Sequence, residues 1–221
     1  MLEAQVEAAK RQGFEVSLRE IAANGIGSIV AGTDTTGVAI GAGLWMIYRD
    51  EQIRSRLCTD LTAIWTDEER HPSLQDLEAL PYLRACVQES LRYSTPISGR
   101  LPRIVPESGL EVAGHHLPPG TRVSSSVFLV HFDKDIFEGP FTFNPDRWMK
   151  GAPEQYLIPF STGSRACVGS NLAMAEIYVV LATVIRWYKG AIVSNQDYKW
   201  ISTFTTSFPK GLNATLERVP A

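Results

Sequence analysis

The chain of 221 residues has few cysteines, no excess of basic charge and no apolar run at its start. Three cysteines are too few and too scattered for a disulfide framework, and their odd number indicates reduced thiols. There are 21 basic and 24 acidic residues, so no basic excess is available to neutralise phosphates, and a nucleic-acid-binding protein is excluded. The first twenty residues are charged and resemble neither a signal peptide nor a membrane anchor, so we expect no anchor within this chain.

The first half of the sequence predicts helices. A short charged helix is expected over residues 2–12 and ends at Gly13. A second helix begins near Ser17, which has the spacing of a capping box with Glu20, and extends to about Tyr48. Residues 49–65 have helical periodicity, and residues 74–95 predict one further helix that ends before Pro96.

After Pro96 the pattern changes to short apolar runs separated by Pro and Gly. The runs 101–105, 110–114 and 121–130 predict strands or brief turns, whereas the long stretch 137–169 has almost no periodicity. A strongly apolar helix follows over 170–188, and the tail predicts a hairpin with Pro209 and Gly211 near its turn. The expected fold class is therefore mainly α with small β elements (α+β).

Residues 21–48 carry one charge, that of Asp34, and six glycines. Their length allows a membrane span, but a central Asp opposes it by roughly 2.5–3.5 kcal/mol on insertion scales. In a buried helix each glycine lowers helix stability by roughly 1 kcal/mol relative to Ala. Close packing of another body against the helix beside Ala31 and Gly32 would offset this cost. Thr hydroxyls can bond carbonyls one turn back and open the helix, leaving an Asp–Thr pair that moves protons; a helix kinked for packing alone is the alternative.

Cys167 lies between Gly163 and Gly169, directly before the apolar helix. The helix N-terminus and Arg165 favour a thiolate, which could be a nucleophile, a zinc ligand or a haem iron ligand. Zinc is poorly supported because no second cysteine is near, and a nucleophile needs a partner such as His131, which the sequence does not place there. A haem ligand needs one Cys, glycines that admit a flat ring and a cation for a propionate, and the loop has all three.

The segment "FSTGSRACVG" resembles the cysteine signature of the cytochrome P-450 haem-thiolate monooxygenases. Three more motifs agree in order: "AGTDTT" resembles the oxygen-activation stretch, "ESLR" the Glu-x-x-Arg helix, and "FNPDRW" the segment whose Arg joins that helix in a buried cluster. The motifs are most similar to those of filamentous-fungal members. The resemblance implies that residues 1–221 are the C-terminal portion of a P-450 domain, without the N-terminal anchor and the helices that close the distal pocket.

The resemblance also implies a role for each matching residue. In the signature, Cys167 would be the axial thiolate of haem b and thus the iron ligand, with Phe160 packed beside the sulfur and Gly163 and Gly169 shaping the loop. Arg165 would pair with a haem propionate. The other implied roles fall outside the signature: a second propionate partner (Arg103), close approach of ring and substrate (Ala31, Gly32), proton relay to dioxygen (Asp34, Thr35) and a structural charge cluster (Glu89, Arg92, Arg147).

The function implied is a haem-dependent monooxygenase that inserts one oxygen atom from O₂ into a small lipophilic organic substrate in fungal secondary metabolism. Electrons would come from a separate NADPH-dependent flavoprotein reductase, since the sequence has no flavin or nicotinamide fingerprint. A full-length parent would lie on the cytosolic face of the endoplasmic reticulum.

Family members are much longer than this chain, and part of one core leaves apolar faces uncovered. We therefore expect the chain alone to fold poorly or to bind haem weakly. The alternatives are a catalytically inactive truncated fragment of such an enzyme and a small Gly-rich membrane protein built on residues 21–48.

Overall fold

The computed structural model describes residues 2–67, 69–193, 198–199, 201–203, 206–208 and 213–219. Within these ranges the chain is mainly helical, with small two-stranded sheets, which confirms the predicted mixed fold class. The helices are α1 (Leu2–Arg11), α2 (Leu18–Arg49), α3 (Glu51–Ile64), α4 (Leu74–Glu78), α5 (Pro81–Ser94), α6 (Val127–His131), α7 (Asp146–Met149) and α8 (Ser170–Trp187).

Helix α2 begins where the sequence predicts. The Glu20 amide donates to Ser17 Oγ at 3.2 Å, and the Ser17 amide donates to Glu20 Oε2 at 2.9 Å, which completes the capping box. These bonds satisfy N–H groups that the first turn leaves without helical partners.

The single helix predicted over residues 74–95 is wrong, because two helices occupy this stretch. Helix α4 ends at Glu78, and Pro81 starts α5 at its first helical position, where its missing N–H is not needed. Helix α5 then ends before Pro96 as predicted, with Thr95 in the left-handed region at φ 39°.

Antiparallel strand pairs follow α5. Strand β1 (Leu101–Ile104) pairs with β4 (Arg122–Ser125), and β2 (Leu110–Val112) pairs with β3 (His115–Leu117). The strand predicted up to residue 130 stops at Ser125. Ser126 caps α6 by accepting the Phe128 amide at 3.2 Å, so residues 127–131 are helical.

The C-terminal strands differ from the predicted hairpin. Strand β5 (Tyr188–Ile192) pairs with β8 (Ala214–Arg218), and β6 (Ile201–Thr203) pairs with β7 (Thr206–Phe208). Strand β8 therefore pairs with β5 and not with the strand that precedes it in the sequence. The predicted turn residues Pro209 and Gly211 lie outside the described residues.

The core lies where the second half of α2 meets α5 and α8. Fully or almost fully buried side chains come from all three helices, among them Ala42, Leu83 and Leu181. A Cβ placed on Gly43 would overlap the Ser90 side chain of α5 and lie 3.4 Å from Leu181 Cδ2. Gly43 therefore permits the close approach of α2 to α5, at a position other than the one expected beside Ala31 and Gly32.

The first half of α2 is exposed. Ile26, Ile29 and Val30 are 64%, 68% and 61% exposed, so no described part of the chain covers this apolar face. Nothing lies within 4 Å of a Cβ placed on Gly32, so the body expected beside it is not another described part of this chain. No described helix, α2 included, is long and apolar enough to cross a membrane.

Helix α2 is also unbroken from Leu18 to Arg49. The Thr33 hydroxyl donates to the Ile29 carbonyl at 2.7 Å and the Thr35 hydroxyl donates to the Ala31 carbonyl at 2.6 Å. The predicted hydroxyl-to-carbonyl bonds are therefore present, but the helix does not open at them.

Candidate functional site

A tight loop presents Cys167 to solvent ahead of α8. The Cys167 amide donates to the Phe160 carbonyl at 2.8 Å, so the chain doubles back between these residues. The reversal uses left-handed backbone at Ser161 (φ 62°) and at Gly163 (φ 72°), and a short 3₁₀ turn covers Gly163–Arg165. Cys167 is exposed, two residues before Gly169, the N-cap of α8. A thiolate in this position benefits from the positive end of the helix dipole.

Two arginines near this loop lack carboxylate partners in the described part of the chain. Arg165 is exposed on the loop itself. Arg103 of β1 donates only to the Pro102 carbonyl at 2.9 Å. Arg103 also lines a cavity of about 380 Å³ together with Ser161 and Thr162. The structure thus brings β1 to the segment that precedes Cys167, and two cationic groups stay available there for an anionic ligand.

The residues around the sulfur fit the haem ligand better than the other two alternatives. Val168 is 91% exposed and Leu172 is 64% exposed, so an apolar surface adjoins the exposed Cys167. A flat apolar ring that bears carboxylates and takes one sulfur ligand matches this surface and the two arginines. Among the residues described, no three His, Cys, Asp or Glu side chains group as a metal site, which leaves the zinc alternative without a ligand set.

The nucleophile alternative fails on the position of His131. This side chain is fully buried, whereas Cys167 is exposed. The Ile158 amide donates to His131 Nε2 at 3.1 Å, and His131 Nδ1 lies 3.2 Å from the Arg92 carbonyl. Both ring nitrogens are therefore occupied, and neither is available to take a proton from the thiol.

The α2 group stands apart from the cysteine loop. Asp34 is exposed and Thr35 is half-buried, with its hydroxyl bonded to the Ala31 carbonyl. No hydrogen bond joins these residues to the loop of Cys167 within the ranges described. The exposed surface of Ala31 and Gly32 is uncovered, so a further body can lie against it.

The predicted charge cluster is present and is closed to solvent. Glu89 is fully buried on α5 and accepts from Arg92 Nη2 at 2.8 Å and from Arg92 Nε at 3.0 Å. Arg147 Nε of α7 donates to the same carboxylate at 3.2 Å. The Asn144 amide and Trp148 Nε1 complete its partners at 2.8 and 2.9 Å. One carboxylate is thereby shared by two guanidinium groups, and both of its oxygens accept hydrogen bonds.

The arginines also bind the backbone between α6 and α7. Arg92 Nη1 donates to the carbonyls of His131 and Pro140, each at 2.8 Å, and Arg147 Nη1 donates to that of Glu138 at 2.7 Å. The stretch without periodicity therefore takes its shape from side chains of α5 and α7.

His131 is the residue whose structural position the sequence did not reveal. Burial and the nearby Arg92 guanidinium lower the pKa of His131 from 6.5 to about 4, so the ring is neutral at physiological pH. The sequence offers one signal, a lone histidine within the apolar run 127–132, but its partners are distant in the chain.

Comparison with known proteins shows the family of the chain. A family model described as Cytochrome P450 matches residues 1–211. The chain is 40% identical over 181 residues to the cytochrome P450 monooxygenase macH of Penicillium terrestre, which covers 78% of this chain and 35% of that protein. It is 40% identical to the cytochrome P450 monooxygenase BOT1 of Botryotinia fuckeliana, over 69% of this chain and 30% of the relative. It is 36% identical to penB of Penicillium thymicola, also a cytochrome P450 monooxygenase, over 81% of this chain and 42% of that relative.

The matched part is the C-terminal part of these relatives. The chain therefore spans about a third of the length of the curated relatives it matches.

Proposed function

The chain belongs to the cytochrome P450 family, and on that premise we propose that residues 1–221 form the C-terminal, haem-binding portion of a monooxygenase. Cys167 would hold haem b through its thiolate sulfur. Bound there, the haem would supply the O₂ chemistry by which one oxygen atom is added to an organic substrate.

The observation that carries the proposal is the fixed presentation of one sulfur. The bond from the Cys167 amide to the Phe160 carbonyl sets the path of the loop, and the start of α8 stabilises negative charge on Sγ. Phe160 is half-buried and packs against the core, so its backbone is a firm partner for the cysteine amide. The geometry of the glycine turn and the exposed thiol both favour a ligand that approaches from outside the loop.

Arg165 and Arg103 would bind the propionates. An unpaired guanidinium presents several N–H donors to a carboxylate, and the pairing is favourable where water is partly excluded. Arg100, just before β1, is the other cation nearby. Arg103 is the stronger candidate of the two because it lines the same cavity as Ser161 and Thr162, whereas Arg100 lines a different one with Ser98 and Phe128.

Asp34 and Thr35 would deliver protons. The Thr35 hydroxyl proton is directed to the Ala31 carbonyl, which leaves the oxygen lone pairs of Thr35 to accept a hydrogen bond from a reacting group or water. Asp34 is exposed and can exchange protons with solvent. Ala31 and Gly32 supply the small surface against which ring and substrate would lie.

Glu89, Arg92 and Arg147 would be structural. Within the described ranges their hydrogen bonds reach neither the α2 group nor the loop of Cys167, and they hold the segment between α6 and α7 by carbonyl bonds. Their effect on activity would therefore come through stability.

We also propose a substrate class, a redox partner, a metabolic role and a cellular location. P450 monooxygenases use O₂, an organic substrate and typically a redox partner. For this chain we propose a small lipophilic substrate and an NADPH-dependent flavoprotein reductase. Relatives from several filamentous fungi support a place in secondary metabolism, on the cytosolic face of the endoplasmic reticulum for a full-length parent.

An inactive fragment is the second candidate. It is favoured by the uncovered face of α2 and by the third of the relatives' length that the chain spans. In that case the chain would take up haem without turnover, or would not retain it.

The test is the spectrum of the reduced, carbon-monoxide-treated protein. The chain and a full-length version are each loaded with haem, and Cys167→Ser is compared with the matched control Cys58→Ser, which replaces a half-buried thiol on α3. We expect the red-shifted Soret band of thiolate ligation in the full-length protein and in Cys58→Ser, and its loss in Cys167→Ser. A full-length protein without the band, or Cys167→Ser with it, contradicts the proposal. A full-length protein with the band and a chain without it favours the inactive fragment.

A further inference from the structure

The imidazole of His131 joins three parts of the chain that are far apart in sequence. The ring is fully buried at the C-terminal end of α6. It contacts the end of α5 through the Arg92 carbonyl, and the Ile158 amide donates to it from the segment before Cys167. The Phe137 ring packs against it edge-on, with centroids 6.5 Å apart.

The partners fix the protonation state of the ring. A carbonyl can only accept, so Nδ1, 3.2 Å from the Arg92 carbonyl, carries the hydrogen. A backbone amide can only donate, so Nε2 presents a lone pair to the Ile158 N–H at 3.1 Å. Both bonds form together only in the neutral ring with its hydrogen on Nδ1.

From Ile158 the backbone leads directly to the cysteine. The Ser161 amide donates to the Ile158 carbonyl at 3.1 Å, and the Cys167 amide donates to the Phe160 carbonyl at 2.8 Å. The turn that carries the sulfur therefore begins at the residue whose amide the imidazole accepts. Ile158 is also one of the residues that line the cavity of Arg103.

We propose that His131 is a positioning residue, whose neutral ring ties the start of the cysteine loop to the C-terminal end of α5 and thereby sets the placement of Cys167. The inference rests on the proposed role of Cys167 for its spectroscopic consequence. The bond to Ile158 itself can be measured without any cofactor.

The charged surroundings of the ring favour its neutral form. Arg92 faces it from α5 and bonds the His131 carbonyl, while Glu89 binds that guanidinium on its other side. No carboxylate bonds the ring in the part of the chain described. Protonation would place an N–H at Nε2 against the N–H of Ile158 and add a second positive charge beside Arg92. Acid therefore breaks the bond that holds the loop.

Three substitutions separate positioning from simple packing. His131→Gln can place a carbonyl oxygen near the position of Nε2 and so accept the Ile158 amide. His131→Asn reaches only the position of Nδ1, and His131→Phe keeps the ring volume but has no polar atom. His115→Phe, on exposed β3, is the matched control.

The first readout is amide hydrogen exchange at Ile158 in the full-length protein, with the helical amide of buried Leu181 as the internal reference. We expect exchange at Ile158 to be about tenfold faster in His131→Phe and His131→Asn, near wild type in His131→Gln, and unchanged in His115→Phe. Equal Ile158 protection in all variants overturns the inference. If His131→Phe does not fold, the Asn and Gln variants decide: faster exchange in Asn supports the inference, and equal or slower exchange overturns it.

The wild-type full-length protein provides a readout that needs no variant. After correction for the intrinsic pH dependence of exchange, protection at Ile158 should fall relative to Leu181 as the pH drops toward 4. A parallel change at both amides overturns the inference.

The second readout is the reduced carbon monoxide spectrum of haem-loaded full-length protein. His131→Phe should move intensity from the thiolate band to the band of a neutral thiol, and His131→Gln should restore the thiolate band. A full-length wild type without the thiolate band defeats the proposed function but leaves the exchange result valid. A normal band in every His131 variant, with unchanged exchange, defeats only the positioning role.

Discussion

Replacing Glu89 by Gln tests how much the buried charge cluster contributes to stability. Oε1 accepts from Arg92, Arg147 and the Asn144 amide, and Oε2 accepts from Arg92 and Trp148. The amide of Gln keeps one acceptor oxygen but turns the other into an NH₂ group that faces donors. In the better orientation its oxygen replaces Oε1, and the two bonds to Oε2 are lost.

The expected loss of stability follows from those two bonds and the missing charge. A hydrogen bond that involves a charged group contributes about 1.5–3 kcal/mol, so two lost bonds correspond to roughly 3–6 kcal/mol. Breaking a buried ion pair by removing one partner costs about 3–5 kcal/mol. We therefore expect Glu89→Gln to lower the free energy of unfolding by about 3–5 kcal/mol, a large share of the 5–15 kcal/mol that ordinary domains have.

The assay is urea unfolding of the full-length protein followed by tryptophan fluorescence, with Glu154→Gln as the matched control. Glu154 makes the same kind of contacts at the surface, 3.5 Å from Arg84 Nη2 and 3.1 Å from Gln88 Nε2, and the side chains of Glu154 and Arg84 are more than half exposed. The control should lose less than about 1 kcal/mol. If Glu154→Gln is folded and Glu89→Gln is already unfolded without urea, the expectation is also met. Equal losses in both variants refute the reasoning.

Four further outcomes are expected. Because the pKa of His131 is about 4 in the fold and 6.5 in the unfolded chain, the unfolded chain binds more protons between these values. Stability should thus be constant above pH 6.5 and fall by roughly 3 kcal/mol toward pH 4, and His131→Gln should abolish that His131 contribution in pH-dependent urea titrations. Thermal melts should rise for Gly41→Ala, which meets open space and gains roughly 1 kcal/mol in helix propensity, and fall for Gly43→Ala, whose Cβ meets Ser90. Thr35→Ala in the full-length enzyme should consume NADPH without matching product, and unchanged coupling would remove its proton role. The chain alone should fold poorly or retain haem weakly, and a monomeric, haem-loaded preparation on size exclusion would contradict this.

Local chemistry made most of the helices predictable. The capping box at Ser17 and Glu20 and the apolar periodicity of α3 and α8 depend on residues within one or two turns, so the sequence contains them in full. The sequence also contains a signal for the break at Pro81, since proline favours the first turn of a helix. The apolar pattern continues across Pro81, however, and this led to the prediction of a single helix.

The elements that were missed depend on distant partners. Residues 127–130 belong to a run predicted as a strand or a brief turn, but the Ser126 hydroxyl that caps the helix there also donates to the Ser98 carbonyl at 2.6 Å, 28 positions away. Strand β8 pairs with β5 instead of its sequence neighbour β7. Such pairings are decided by packing rather than by local propensity.

The candidate site likewise has parts that depend on contiguous residues and parts that depend on distant partners. The cysteine loop could be predicted because its glycines, arginine and thiol are contiguous, and the charge cluster because each part has its own motif. The position of His131 could not, since its partners Arg92 and Ile158 lie 39 and 27 residues away and use only backbone groups. Almost every residue type has a backbone donor and acceptor, so the identity of a residue does not reveal that its backbone binds His131.

The contacts at His131 also bring together the two ends of residues 96–130. Thr95 Oγ1 lies 3.4 Å from His131 Nδ1, so the excursion of residues 96–130, which contains the β2–β3 hairpin, leaves and returns at one point. At the far tip, Ala113 and Gly114 have positive φ and are exposed. A protease that nicks this tip should leave two pieces that stay assembled through their buried ends, and peptide inserts placed there should be tolerated.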